Sequence, residues 1–217
     1  MFLGHFGLGF GAKKAAPEVP LGALFMACQF ADLLWPTLVL LGLEQVEVQR
    51  GATLMTPINF VRYPYSHSLL ALAVWGALAG ALYKVVTRSR MLAAVTPGVL
   101  VLSHWFIDLI VHRPDLPITL TGTTRLGLGL WNSMAGTLAI ELLIFVAGIV
   151  VYVRTTAPRD RVGSVGLWSL VVFLLVVYIA STFGPPPPSA RAIAWSAEAM
   201  WLLVIWAYWI DRHRAPV

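Results

Sequence analysis

Ser103-His104-Trp105-Phe106-Ile107-Asp108-Leu109-Ile110-Val111-His112-Arg113-Pro114-Asp115 carries titratable side chains every fourth residue, in an apolar run that begins at Met91. The run has about the 20 residues that a bilayer-crossing helix needs. On a helix, positions 104, 108 and 112 share one face, and each step of four residues advances about 6 Å. Adjacent members can then hold one ion, and the outer two can serve neighbouring ions. An Asp at the centre of an apolar span costs roughly 2.5–3.5 kcal/mol on insertion scales, so something must offset it. A metal ion fits this spacing.

Outward from that stretch the chain stays apolar. Of its 217 residues 59% are hydrophobic and 12% charged, and the mean hydropathy is +0.79. This composition excludes an ordinary soluble domain and predicts an integral membrane protein. The net charge of +5 does not signal nucleic acid, because the Lys and Arg stand singly between apolar runs instead of on one basic face. One cysteine, Cys28, excludes an internal disulfide and a multi-thiolate metal site. The opening is not patterned as a cleaved signal peptide, since Lys13 and Lys14 follow the apolar residues.

The expected fold is all-α, a polytopic bundle of about six transmembrane helices in a single domain. Residues 1–16 are too short to span and read as a re-entrant or interfacial arm carrying His5. The first span covers about residues 21–43, with Asp32 near its middle and Pro36 expected to kink it. A polar connection leads to Tyr63-Pro64-Tyr65-Ser66-His67-Ser68 and a second span ending near Val86. The third span runs from Met91 to about Val111 and contains Pro97. A long loop from His112 to Leu130 follows, of a length that is commonly functional. Gly127-Leu128-Gly129-Leu130-Trp131-Asn132-Ser133 reads as a helix start with a flexible entry. The fourth span reaches Val153 and contains Glu141. Two further spans lie within residues 164–211, divided by Pro185 to Pro188. Residues 1–153 supply the metal-site helices, and the last two spans serve packing or partner binding.

Ten of the fifteen Lys and Arg residues fall at one set of span ends and five at the other. Positive-inside counting therefore puts both termini in the cytoplasm and His67, His112 and Asp115 outside. For His5 to reach His104, the N-terminal arm must fold back into the bundle.

The candidate ligands are His and carboxylate without thiolate, which suits zinc, manganese or iron. Each also has a plainer reading. Asp32 and Glu141 can be interhelical polar contacts, Ser66 and His67 can cap the second span, and His5 can sit at the headgroups. His112 and Asp115 can be solvated at a helix end, and His104 with Asp108 can be a structural pair.

The order His5, Asp32, His67-Ser68, then His104 with Asp108 four residues on, resembles the YdjM-like family of bacterial inner-membrane metal-dependent hydrolases. More distantly it is similar to the helical zinc-dependent phospholipase C and P1-type nuclease group. The resemblance covers about the first 150 residues. It departs where that family commonly has Asp-x-Asp, here Asp32-Leu33-Leu34, and Arg-Gly-x-Thr-His, here Tyr63-Pro64-Tyr65-Ser66-His67. It implies His5, Asp32, His67, His104 and Asp108 as metal ligands, with His112, Asp115 or Glu141 completing a further ion. It also implies residence in the bacterial inner membrane.

The function expected is metal-dependent hydrolysis of an ester or phosphoester of a lipid-like substrate at the outer membrane face, with zinc as the leading metal. Glu141 or Asp115 acts as general base, and Arg113 and Arg125 hold the phosphate. Membrane lipid and a small-molecule or lipid-phosphate substrate are the expected partners, nucleic acid is not, and homo-oligomerisation stays open. Two other classes remain: a cation or proton-relay transporter using the same buried groups, and a structural membrane subunit with a polar packing core.

Overall fold

The structure, a computed structural model, describes residues 1–217 and is predominantly helical. A buried ten-residue helix α1 (Leu3–Ala12) opens the chain, followed by α2 (Leu21–Cys28) and α3 (Phe30–Leu40). Strands β1 (Gln45–Val48) and β2 (Ile58–Arg62) form an antiparallel hairpin that leads into the single turn α4 (Pro64–His67). Helices α5 (Leu69–Thr87) and α6 (Met91–Val111) then pack as an antiparallel pair. Short strands β3 (Leu116–Pro117) and β4 (Arg125–Leu126) fold the long loop back on itself before a 3₁₀ turn (Leu130–Asn132). Next come α7 (Met134–Thr155), β5 (Thr156–Pro158), α8 (Arg161–Phe183), α9 (Ala190–Glu198), α10 (Met200–Arg212) and β6 (Arg214–Pro216), with β5 and β6 paired.

Helix starts follow side-chain chemistry. Ser68, Ser133, Asp160 and Ser189 accept from the N–H groups of Ala71, Gly136, Gly163 and Ala192, capping α5, α7, α8 and α9. Ser68 therefore caps the second span, while Ser66 and His67 belong to α4. The expected kink at Pro36 is displaced: α2 and α3 meet at a 57° bend around Gln29, and Pro36 lies inside α3. Because the chain turns at Gln29, Asp32 falls in the first turn of α3, near the middle of the bent pair α2–α3.

Helices α5, α6, α7 and α8 and the run α9–α10 (Ala190–Arg212) make five stretches long and apolar enough to cross a membrane, and six if the bent pair α2–α3 counts as one span. The outward faces of α5, α6, α7 and α8 carry exposed Leu82, Val85, Val99, Phe106, Leu143, Val172 and Val176. Inside, Phe6, Phe10, Phe25, Phe145, Tyr152 and Leu170 join α1, α2, α7 and α8 in one apolar core. Leu24, Trp35, Leu72, Leu100 and Trp105 join α2, α3, α5 and α6 in another. The glycine-rich opening explains how α1 reaches the interior: a Cβ on Gly7 would lie 2.6 Å from the Ile144 carbonyl, and one on Gly148 would run into the Gly7 carbonyl. Only glycine lets α1 and α7 approach so closely.

Candidate metal centre

Four helices bring the polar residues together. α6 supplies His104 and Asp108 on one face and His112 just past its end; α1 supplies His5, α3 Asp32 and α4 His67. Asp108 is the hub. Its Oδ2 lies 3.2 Å from His104 Nε2, 3.6 Å from His112 Nε2 and 3.9 Å from His67 Nε2. Its Oδ1 lies 3.0 Å from His5 Nε2 and 2.5 Å from the Met1 amino nitrogen. Asp32 Oδ1 is 3.4 Å from His67 Nε2 and 3.8 Å from His104 Nε2. The rings of His5 and His104 stack at 3.7 Å. The histidines and Asp108 are fully buried, whereas the Asp32 side chain is 25% exposed and forms the open edge of the cluster.

The hydrogen bonds behind the rings place a hydrogen on Nδ1. His104 Nδ1 faces the Cys28 carbonyl at 2.9 Å, and a carbonyl only accepts. His112 Nδ1 faces Asp115 Oδ1 at 2.9 Å, and His67 Nδ1 faces Ser66 Oγ at 2.7 Å. With a hydrogen on Nδ1, a neutral imidazole directs the lone pair of Nε2 at the carboxylates, the arrangement found behind metal-ligating histidines. Lone pairs that face carboxylate oxygens repel unless a cation stands between them. His104 Nε2 is indeed buried without a hydrogen-bond partner, as is His5 Nδ1.

The donor set fits a small divalent ion. Ligand atoms about 2.0–2.2 Å from a tetrahedral zinc lie roughly 3.3 Å apart. Asp32 Oδ1, His67 Nε2, His104 Nε2 and Asp108 Oδ2 are separated across the four Asp–His pairs by 3.2 to 3.9 Å. Two overlapping triads, Asp32–His67–His104 and His5–His104–Asp108, each offer ligand atoms within 4.8 Å of one another and share His104. Thiolate takes no part, since Cys28 Sγ turns to the Phe25 carbonyl.

The other expected residues stand apart from this cluster. Glu141 Oε2 accepts from the N–H groups of Phe2, Leu3 and Gly4 at 2.9, 2.7 and 3.3 Å, which satisfies the start of α1. Asp115 sits behind His112 and also accepts from Tyr63 Oη at 3.0 Å and Arg113 Nε at 3.1 Å. Glu141 is thus engaged by the main chain at the start of α1, and Asp115 by His112, Tyr63 and Arg113. Burial disfavours the Asp115 charge, yet the hydrogen bonds from His112, Tyr63 and Arg113 hold its carboxyl below the usual range. Burial, with Asp115 beside it, pushes the Tyr63 phenol well up. Arg113 is tied to Asp115 and Asn59 and supports His112 indirectly. Arg125 lines an outer cleft of about 500 Å³ with Arg62, Pro64 and Thr121.

Three features were not legible in the sequence. Buried Glu44 reaches Ser66 because the β1–β2 hairpin sets Gln45 opposite Arg62. The Cys28 carbonyl is a main-chain group with no residue signature. The Gly127–Gly129 run folds over the end of α6, where the Gly129 N–H donates to the His112 carbonyl at 2.7 Å. Gly127 has φ +159°, and a Cβ there would collide with the Arg113 carbonyl.

Comparison with known proteins finds no match: no family model, no curated protein and no solved structure is significantly similar to this chain.

Proposed function

We propose that this chain is a membrane-spanning, metal-dependent hydrolase that cleaves an ester or phosphoester of an amphiphile at the outer face of the membrane. One observation carries the reading. The Nε2 atoms of three histidines, each with its Nδ1 hydrogen engaged from behind, converge on the carboxylates of Asp108 and Asp32 in a buried space. Asp32, His67, His104 and Asp108 would hold the first ion, with His5 and His112 on the flanks of Asp108.

A bound zinc or similar ion supplies a water whose pKa is lowered toward neutrality and polarises the scissile group. The chain's own residues do the rest. Asp32, the exposed edge, admits water, and the water's proton would leave to solvent past it. Trp131, 4.3 Å from the His112 ring, and Phe60, at 5.1 Å, keep water off the opposite side. Arg62 and Arg125, in the cleft beside α4, bind the phosphate. The order of ligands in the chain, with its likeness to YdjM-like hydrolases, supports the reaction class.

The test is hydrolysis of a short-chain phospholipid and of p-nitrophenyl phosphate by detergent-purified protein supplied with zinc. Turnover that falls at least 10³-fold in Asp108→Ala, with the variant still folded, is the expected result. Turnover equal in wild type and variant overturns the hydrolase.

A further inference from the structure

We propose that Glu44 is a positioning residue which acts through Ser66 to keep the hydrogen of His67 on Nδ1, leaving Nε2 free to bind the metal. The proposal rests on the metal-centre reading above and names a residue that the reading does not need for coordination.

The geometry leaves little freedom. Glu44 Oε1 accepts two main-chain N–H groups, from Tyr65 at 2.8 Å and Ser66 at 2.9 Å. Its Oε2 lies 2.6 Å from Ser66 Oγ, a length typical of a hydroxyl donating to a charged carboxylate. Ser66 has one hydroxyl hydrogen. Having given it to Glu44, Ser66 Oγ can only accept from His67 Nδ1, 2.7 Å away. The hydrogen therefore sits on Nδ1, and Nε2 faces Asp32, 3.4 Å off. All three side chains are buried, so water does not compete. Glu44, Ser66 and His67 thus form a directed chain in which every hydrogen has one place to go.

Glu44→Gln makes the chain testable, because it reverses its direction. The two N–H groups at Oε1 require an acceptor, which holds the glutamine carbonyl in that position and turns its NH₂ toward Ser66. Ser66 Oγ must then accept from Gln and donate to His67 Nδ1. This moves the imidazole hydrogen to Nε2, where it blocks the ligand. Ser66→Ala instead cuts the chain and leaves His67 free to adopt either tautomer.

Two measurements on full-length detergent-purified protein settle the matter. The first is the tautomer of His67 in metal-free protein, read from ring ¹⁵N shifts: Nδ1–H is expected in wild type and Nε2–H in Glu44→Gln. Nε2–H in the wild type overturns the relay, and this readout needs neither a variant nor a metal. The second is zinc affinity by competition with a chromogenic chelator. A loss of about 10- to 100-fold is expected for Glu44→Gln, the usual range for a lost supporting partner. The Glu44→Gln, Ser66→Ala double variant should recover to within about threefold of Ser66→Ala alone, because the reversed donor is gone. A purely structural role for Glu44 predicts the opposite, a double variant no better than Glu44→Gln, and that result overturns the proposal. Wild-type protein that binds no zinc but shows Nδ1–H at His67 overturns the metal reading and leaves the relay standing.

Discussion

At the scale of single residues, the buried carboxylates divide by what surrounds them. Asp108 receives imidazoles on both oxygens, while Glu141 receives main-chain N–H groups and so belongs to the start of α1. Glu141→Gln keeps a carbonyl acceptor there, so zinc binding and turnover should stay within about threefold of wild type. A general base in that position would cost 10²- to 10⁴-fold in rate, and steady-state kinetics separates the two. A further pair lies outside the spans, where His213 Nδ1 meets Asp160 Oδ2 at 2.7 Å. The bond to His213, with the Gly163 N–H, holds the Asp160 carboxyl below its usual value. A depressed folded-state value contributes stability above the unfolded value and loses it as pH falls through the folded one. Asp160→Asn should therefore lower the melting temperature at pH 7 and have little effect below about pH 3, near and under the carboxylate range. An equal effect at both pH values would contradict this. The His104–Asp108–His112 spacing was legible because one helix carries all three. Glu44 was not, because Ser66 lies 22 residues on and only the β1–β2 hairpin between them closes the distance.

Among the elements, α1 decides whether the site is complete. Ten residues cannot span a bilayer, and the sequence left them as an arm on a surface or folded inward. Packing selects the second: Leu3, Phe6 and Phe10 are fully buried, and His5 comes to Asp108 with them. Gly148→Leu should push α1 off α7. The expected cost is about 1–3 kcal/mol of stability, as for other overpacked interiors, together with weaker zinc binding from the loss of His5. Thermal melts and zinc titration check both, and a variant with unchanged zinc affinity would show that α1 contributes nothing to the centre. The bend between α2 and α3 was placed by the sequence at Pro36, because proline removes a helix hydrogen bond. It falls at Gln29, where α2 ends and α3 begins, and it sets the Cys28 carbonyl against His104. Proline is accommodated within α3 and α6, so its presence alone did not locate the break.

For the molecule as a whole, the helical class was legible from hydropathy, since long apolar runs leave no alternative once every main-chain group needs an internal partner. The short strands were not, as two to five residues leave too weak a pattern. The cluster draws its side chains from α1, α3, α4 and α6 and the residue after α6, so an ion bound there would tie together segments from residue 5 to residue 112. Ligand that binds only the folded state stabilises it in proportion to the logarithm of its excess over Kd. The most direct test of the central claim is the metal content of the detergent-purified protein by elemental mass spectrometry, beside a folded His104→Ala, Asp108→Ala double variant. One or more equivalents of zinc, manganese or iron in the wild type are predicted, absent from the variant, with a melting temperature that drops on chelation and returns on reloading. A wild-type protein that holds no metal after reconstitution, or that keeps it when both residues are removed, would contradict the account.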